Sequence, residues 1–433
     1  MDGQLGETRE TRANERGRLP RKSAKKRPGK TADGRSKWKL ARPRPTTHAP
    51  YRELTTEAIN MIQNTDIQKL PEVIDDARHP QNVAVQEQVI SVCLERVLSH
   101  AGGPGLVPHV EQVRTLRRLI FSQGDVLLIA RTGFGKSLIF HAYSILTRNI
   151  TLQLVPLTKL GEEQLADIRK FPGARSCLVN TYTRGQEKDI IQKISDGVFT
   201  HVLLGPEQAT SDGFRRALKR ADFQARIGLV AIDECHLVSQ WETFRPAFTM
   251  LAQLRTMLHP DIVWFGCSAT LDYVGERKVL DNAGFRRVGG GMHQTAVIRT
   301  SVDRPDISLS LVALPRGKVT KWGAFFFLLK NAIDSSAEPT PQDIPKTVVF
   351  LDSRRRIHAA AAWTMQRLLL MTAESHRSRY SESLEAGPLC VLNVVGIFTA
   401  NMAAYDQEVA FLEFQKPTST TRIMFATTSL GAL

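Results

Sequence analysis

Short apolar runs rich in β-branched residues recur at 126–130, 151–155, 201–204, 228–232, 262–266, 347–351 and 422–426. Between them, apolar positions fall three and four apart, the spacing that turns one stripe of a helix toward a core. Strands that are apolar at every position are buried on both faces, and the connecting helices supply the cover. The alternation predicts an α/β fold with parallel sheets from 106 onward. One helix is expected over 138–146 and another over 322–333, the latter followed by a polar loop at 334–345. Two successive α/β units fit the spacing, and no heptad pattern interrupts it.

The N-terminal part reads differently. Leu54, Ala58, Ile59 and Ile62 mark a helical face starting near Thr55-Thr56, and a second periodic stretch spans 83–98. Ala101-Gly-Gly-Pro-Gly105 then breaks the chain and suggests a boundary. Ahead of these, residues 1–48 hold 15 Lys and Arg against 5 Asp and Glu, so +10 of the chain's +15 lies there. Such a segment, poor in large apolar residues, is expected to be a disordered basic tail over 1–50. Arg21-Lys22 and Lys25-Lys26-Arg27 resemble a nuclear-import signal, which points to the nucleus. The same charges would suit nucleic-acid phosphates or simple solubility, and the sequence does not choose among the three.

Hydrophobic residues make up 42% of the 433, enough for cores in two or three domains. No apolar stretch approaches the roughly 18 residues of a membrane span, and no signal-peptide core opens the chain. No membrane partner is therefore expected. The five cysteines are scattered without a CxxC pair, which argues for reduced thiols and against zinc.

Candidate chemistry starts at Ala130-Arg-Thr-Gly-Phe-Gly-Lys-Ser137, between an apolar run and a helix-like segment. Thr132, Gly133, Phe134 and Gly135 would form a loop whose N–H groups close around phosphate oxygens, aided by the helix N-terminus. Lys136 would reach the terminal phosphates, and the Ser137 hydroxyl would hold Mg²⁺. The run 228–232 then delivers Asp233-Glu234-Cys235-His236. Asp233 would hold Mg²⁺ through its water shell, and Glu234 would orient or deprotonate the attacking water. ATP and Mg²⁺ are the cofactors this pairing implies, with 97 residues separating 136 from 233.

The Asp-Glu-x-His box, the loop before it and Ser268-Ala-Thr270 after it resemble a superfamily 2 helicase of the DExH-box class. The stretch from His236 through Ser239-Gln-Trp241 to Phe244-Arg245-Pro246 is similar to the aromatic-rich loop of RecQ-type helicases, with a spacer one residue shorter. Trp241 and Phe244 can stack on single-strand bases and Arg245 can pair with phosphate, although aromatics of this kind also serve as core. The resemblance extends to Gln112, 24 residues before Lys136, as an adenine-reading glutamine. It extends further to the segment around Pro156 with Gln164 and to Gly205-Pro-Glu207 as strand-contacting motifs. It places Arg304 in the link between lobes, and Ser353, Arg354 and Thr427 on the strand-facing edge of a second lobe.

The resemblance covers 106–433 and implies a P-loop NTPase of tandem RecA-like lobes, with 106–312 the first lobe and 313–433 an incomplete second lobe, while 51–105 is expected from its periodicity to be a helical N-terminal region. His236 joins the catalytic set, while Ser268, Thr270 and Arg304 couple nucleotide state to DNA. The implied activity is 3′-to-5′ DNA unwinding driven by ATP, on single-stranded DNA or duplex with a single-stranded tail. No arginine-finger segment follows in the chain, so a second expectation is an ATP- and nucleic-acid-binding protein without efficient motor activity. Whether the strand is DNA or RNA is decided here by resemblance alone.

Overall fold

The computed structural model describes residues 41–44, 54–78, 82–101, 103, 105–155, 158–187, 189–240, 251–311, 321–329, 340–379, 391–399 and 401–427. Seven strands form one sheet: β1 (Asp125–Ile129), β2 (Ile150–Leu154), β3 (Ser176–Val179), β4 (His201–Leu204), β5 (Ile227–Ile232), β6 (Val263–Ser268) and β7 (Thr295–Arg299). Their order is β3-β4-β2-β5-β6-β1-β7, and the pairings are parallel. A second parallel sheet has the order β8-β10-β9, from β8 (Thr347–Phe350), β9 (Val395–Phe398) and β10 (Ile423–Ala426). The expected α/β class with parallel sheets is what forms.

The pleat explains the unbroken apolar runs. Leu127 and Ile129 of β1 enter one buried cluster with Val230, Ile232 and Trp264. Their neighbours Val126 and Leu128 enter the opposite cluster with Leu229, Val263 and Phe265. Alternate side chains need apolar partners on both sides, so no strand position is left for water. At the N-terminal end of β1, fully buried Asp125 accepts from the backbone N–H groups of Trp264 (2.9 Å) and Arg286 (3.1 Å).

Helices α1 (Thr56–Met61), α2 (Leu70–Asp76), α3 (Val83–Ala101), α4 (Val110–Phe121), α5 (Lys136–Thr147) and α6 (Thr158–Ile168) precede or cover the sheet. The Thr55 side chain caps α1 by accepting from the Ala58 N–H at 3.2 Å. Ile59, Ile74, Ile90 and Leu94 share a single core with Leu116, Phe140, Val126 and Leu128. The glycine break at 101–105 thus separates elements of one hydrophobic core, because α1–α3 can bury their apolar stripes only against α4 and α5.

Four further differences from the sequence reading have local causes. The expected tail over 1–50 is docked at 41–44: Ala41 N–H donates to Gly197 O (2.8 Å), and the Arg42 guanidinium grips Asp75 (2.6 and 3.0 Å). In place of the helix expected over 322–333, a 3₁₀ segment runs over Lys321–Leu329, and 330–333 lie outside the described residues. It is apolar almost throughout, lacks the polar face of a surface α-helix and buries Leu328 and Leu329 under the second sheet. Within the polar loop, Pro341–Asp343 form a 3₁₀ turn. Finally, the edge strands β3, β7 and β9 are absent from the predicted runs; β3 and β7 carry the polar residues Ser176, Thr295 and Arg299, which break the apolar pattern.

Candidate nucleotide-binding and hydrolysis site

β5, β6 and β1 are adjacent, so their C-terminal ends lie side by side, each about 4.8 Å from the next. β1 opens into the loop 130–135, β5 ends at Asp233-Glu234, and β6 ends at Ser268. The register matches Ile129 with Ser268 and Ile232 with Gly266, and Ala130 N–H donates to Ser268 O at 3.0 Å. Loops at the carboxyl ends of parallel strands, beside a reversal of strand order, are where α/β sheets bind ligands.

The loop takes the shape its glycines permit. Gly133 and Gly135 have φ of 82° and 80°, and Gly135 is the residue from which α5 starts. Lys136 is buried, with its ammonium donating to Ala130 O and Arg131 O, both at 3.1 Å. Ser137 follows in the first turn of α5. Gln112 caps α4 by accepting from His109 N–H (2.8 Å), and its amide donates to Phe134 O (2.9 Å) and Gly135 O (3.2 Å). The His109 ring stacks on Phe134 with centroids 4.6 Å apart. Gln112 therefore braces the phosphate loop, a contact the sequence reading did not foresee.

A methyl group at position 135 would sit 2.6 Å from the Gln112 amide nitrogen, on backbone that L-residues rarely adopt. Gly135→Ala is expected to cost about 1–2 kcal/mol in stability and to weaken nucleotide binding by displacing Gln112. Denaturant melts and titration with a fluorescent ATP analogue check both; unaltered values would show that the loop tolerates a side chain here.

The acidic pair is held from several sides. Asp233 is buried; its Oδ1 accepts from Glu234 N–H (3.0 Å) and the Cys267 thiol (3.3 Å), and its Oδ2 from the Gln164 amide (2.5 Å). Burial, followed by the Glu234 charge, pushes the Asp233 carboxyl up, while the Gln164 and Cys267 hydrogen bonds oppose this. A neighbouring cation favours such a carboxylate in its ionised form. Glu234 has a left-handed φ of 46°, which turns the chain sharply at the strand end. Its carboxyl is held down first by the His236 hydrogen bond, then by the His236 and Lys136 charges. Lys136 and Glu234 thus act on each other electrostatically across the gap between β1 and β5.

His236 Nδ1 lies 3.2 Å from Glu234 Oε2 and 2.9 Å from Ser268 Oγ, which also accepts from Thr270 N–H (3.1 Å). The DExH box and the Ser268–Thr270 segment are therefore physically joined through one imidazole. Hard oxygen donors from Ser137 and Asp233, with no cluster of three metal-binding side chains among the described residues, suit a cation held largely by phosphate and water.

The remaining predicted residues divide. Thr132 is exposed in the loop. Arg304 is half-exposed and closed onto Asp306 (2.8 and 2.6 Å), which holds the Asp306 carboxyl down at about 2. Ser353, exposed, accepts from Arg356 N–H at the start of the helix Arg354–Arg379, whose first residue Arg354 is also exposed. Thr427 donates its N–H to Phe398 O (3.2 Å) beyond β10, the strand next to β8, so these three share one edge of the second sheet. Trp241, Phe244, Arg245 and Pro156 lie outside the described residues. Gln164, assigned by resemblance to a strand-contacting motif, instead turns inward onto Asp233: the helical spacing of α6 puts it on the sheet-facing side.

A DEAD/DEAH box helicase family model matches residues 110–277. The ATP-dependent DNA helicase RecQ of Haemophilus influenzae is 27% identical over 188 residues, 43% of this chain and 28% of that protein. RecQ of Synechocystis sp. is 23% identical over 252 residues, 57% of this chain and 48% of that protein. The bifunctional 3′-5′ exonuclease/ATP-dependent helicase WRN of Mus musculus is 29% identical over 160 residues, 37% of this chain and 11% of that protein. The chain thus spans half or less of the length of these relatives. In fold it is similar to the crystal structure of the DUF1998 helicase MrfA bound to DNA and AMPPNP, with a TM-score of 0.53 at 13% identity over 78% of this chain and 44% of that one. Loop, acid pair and these likenesses agree: residues 110–277 match a DEAD/DEAH box helicase model, and the chain is similar to RecQ-type helicases of superfamily 2.

Proposed function

We propose that this chain uses Mg²⁺·ATP hydrolysis to move 3′ to 5′ along single-stranded DNA and to unwind duplex DNA carrying a single-stranded tail. The observation that carries the reading is the convergence of Lys136, Ser137, Asp233 and Glu234 at the carboxyl edge of β1 and β5. Magnesium, held by Ser137 and Asp233, would supply charge neutralisation at the phosphates. Lys136 exchanges its two carbonyl partners for phosphate oxygens. Glu234, kept ionised by His236 and Lys136, orients the attacking water and accepts its proton. His236 moves with Glu234 and passes the change to Ser268 and Thr270. DNA as the substrate rests on the likeness to RecQ helicases, and work in the nucleus on the basic runs of residues 21–27.

ATP turnover with and without single-stranded DNA tests the reading, with single-stranded RNA of the same sequence as competitor. Turnover is expected to rise with DNA, and Glu234→Gln is expected to lower it about a hundredfold while nucleotide binding persists. Strand displacement from duplexes bearing a 3′ or a 5′ tail reports the direction. DNA-independent turnover equal to that of Glu234→Gln would leave a nucleic-acid-binding protein without motor activity.

A further inference from the structure

Two buried glutamines lie behind Asp233 and have no part in the chemistry assigned to the acid pair. Gln153 is fully buried in β2, between the apolar neighbours Leu152 and Leu154. Its side-chain amide donates to the carbonyl oxygen of the Gln164 side chain, and the Gln164 amide donates in turn to Asp233 Oδ2 at 2.5 Å. Gln164 is itself nine-tenths buried. A buried amide is costly unless its groups are paired, so two in series at an active carboxylate call for a reason.

The chain of bonds has a direction. The Asp233 carboxylate sets it: Gln164 turns its N–H groups to Oδ2, which leaves its oxygen to accept from the Gln153 amide. An inverted amide would set oxygen against carboxylate oxygen and repel. Oδ1 is fixed independently by Glu234 N–H and the Cys267 thiol, so the Gln164 bond is what fixes the plane of the carboxyl group. Gln164 also belongs to α6, whose first residues Thr158 and Lys159 fall within the segment 155–159 that resembles a DNA-tracking motif.

We propose that Gln164 is a positioning residue for Asp233, locked in rotamer by Gln153, and that it couples the placement of α6 to the angle at which Asp233 faces its cation. The inference rests on the metal-facing role proposed for Asp233. Strand binding at the start of α6 would then be read at the nucleotide through one hydrogen bond, alongside the route through His236 and Ser268.

The test is a Mg²⁺ titration of the binding of a fluorescent ATP analogue, with and without single-stranded DNA, on the full chain. In the wild type, DNA is expected to shift the half-saturating Mg²⁺ concentration. In Gln164→Leu that concentration is expected to rise about tenfold, as for other groups that orient a metal ligand, and to stop responding to DNA. Affinity for the analogue without Mg²⁺ stays at the wild-type value. Gln153→Leu, which leaves Asp233 untouched and suits the apolar strand, is expected to shift Mg²⁺ in the same direction by less. It decides the matter by itself if Gln164→Leu fails to fold. Wild-type Mg²⁺ dependence in the variants, with only the melting temperature lowered, would reduce the two amides to packing and overturn the inference. Wild-type binding that ignores Mg²⁺ altogether is a different result, and it would remove the cation from Asp233 and the proposed mechanism with it.

Discussion

Lys136→Ala is expected to lower DNA-stimulated ATP turnover by about a thousandfold, the upper end for removing one preorganised donor from a transition state. The side chain is buried, and its ammonium is already aimed at the mouth of the phosphate loop by Ala130 O and Arg131 O. The same charge helps hold the Glu234 carboxyl down, so its loss also lets that carboxyl rise. Two carbonyls lose a partner in the variant, which costs about 1 kcal/mol of stability; melting at the assay temperature separates this from the catalytic loss. Steady-state turnover checks the expectation, and a variant hydrolysing ATP at the wild-type rate would detach the loop from catalysis.

The second large effect is on acid stability and concerns the core beneath α5. His141 of α5 and His201 of β4 are both buried, their rings 6.0 Å apart, with His201 Nε2 3.1 Å from His141 O and Nδ1 2.9 Å from Thr200 Oγ1. Burial pushes His201 down to about 4 and His141 well below the usual imidazole range, where His201 also repels it. A depressed imidazole contributes stability that is fully present above about pH 6.5, the unfolded value. Below that, the unfolded chain takes up protons that the folded core refuses, and stability falls until His201 itself protonates near pH 4. For His201 alone the loss is about 2 kcal/mol at pH 5 and about 3 kcal/mol at pH 4, relative to neutrality. Denaturant melts between pH 7.5 and 4 should therefore be flatter for His201→Gln than for the wild type by this amount. Parallel curves would show that His201 is not the acid-sensitive group. Because α5 carries Lys136 and Ser137, nucleotide binding is expected to weaken over the same range.

Particular residues show what could be read before the fold was known. Gly133, Gly135, Lys136 and Ser137 are contiguous, and their chemistry depends on a local backbone turn. Asp233 and Glu234 end a six-residue apolar strand, a signal carried by neighbours in sequence. The helical face at 54–62 was legible for the same reason, whereas its burial against α4 and α5 was not. Gln153 carried a signal of its own: an amide between the apolar neighbours Leu152 and Leu154, whose burial calls for a partner, and the Gln164 side chain accepts from its nitrogen.

The amino-acid order alone determined the α/β class, the phosphate loop and the acid pair, because each follows from periodicity or a short run of neighbours. The tertiary structure decided that β6 lies between β1 and β5, which brings Ser268 to His236 and sets Lys136 opposite Glu234. It also decided that Gln164 faces Asp233 and that α1–α3 complete the core of the first sheet. These relations join residues 32 to 98 positions apart, and strand order and helix docking place them together. Both are fixed only when every apolar face has found its cover.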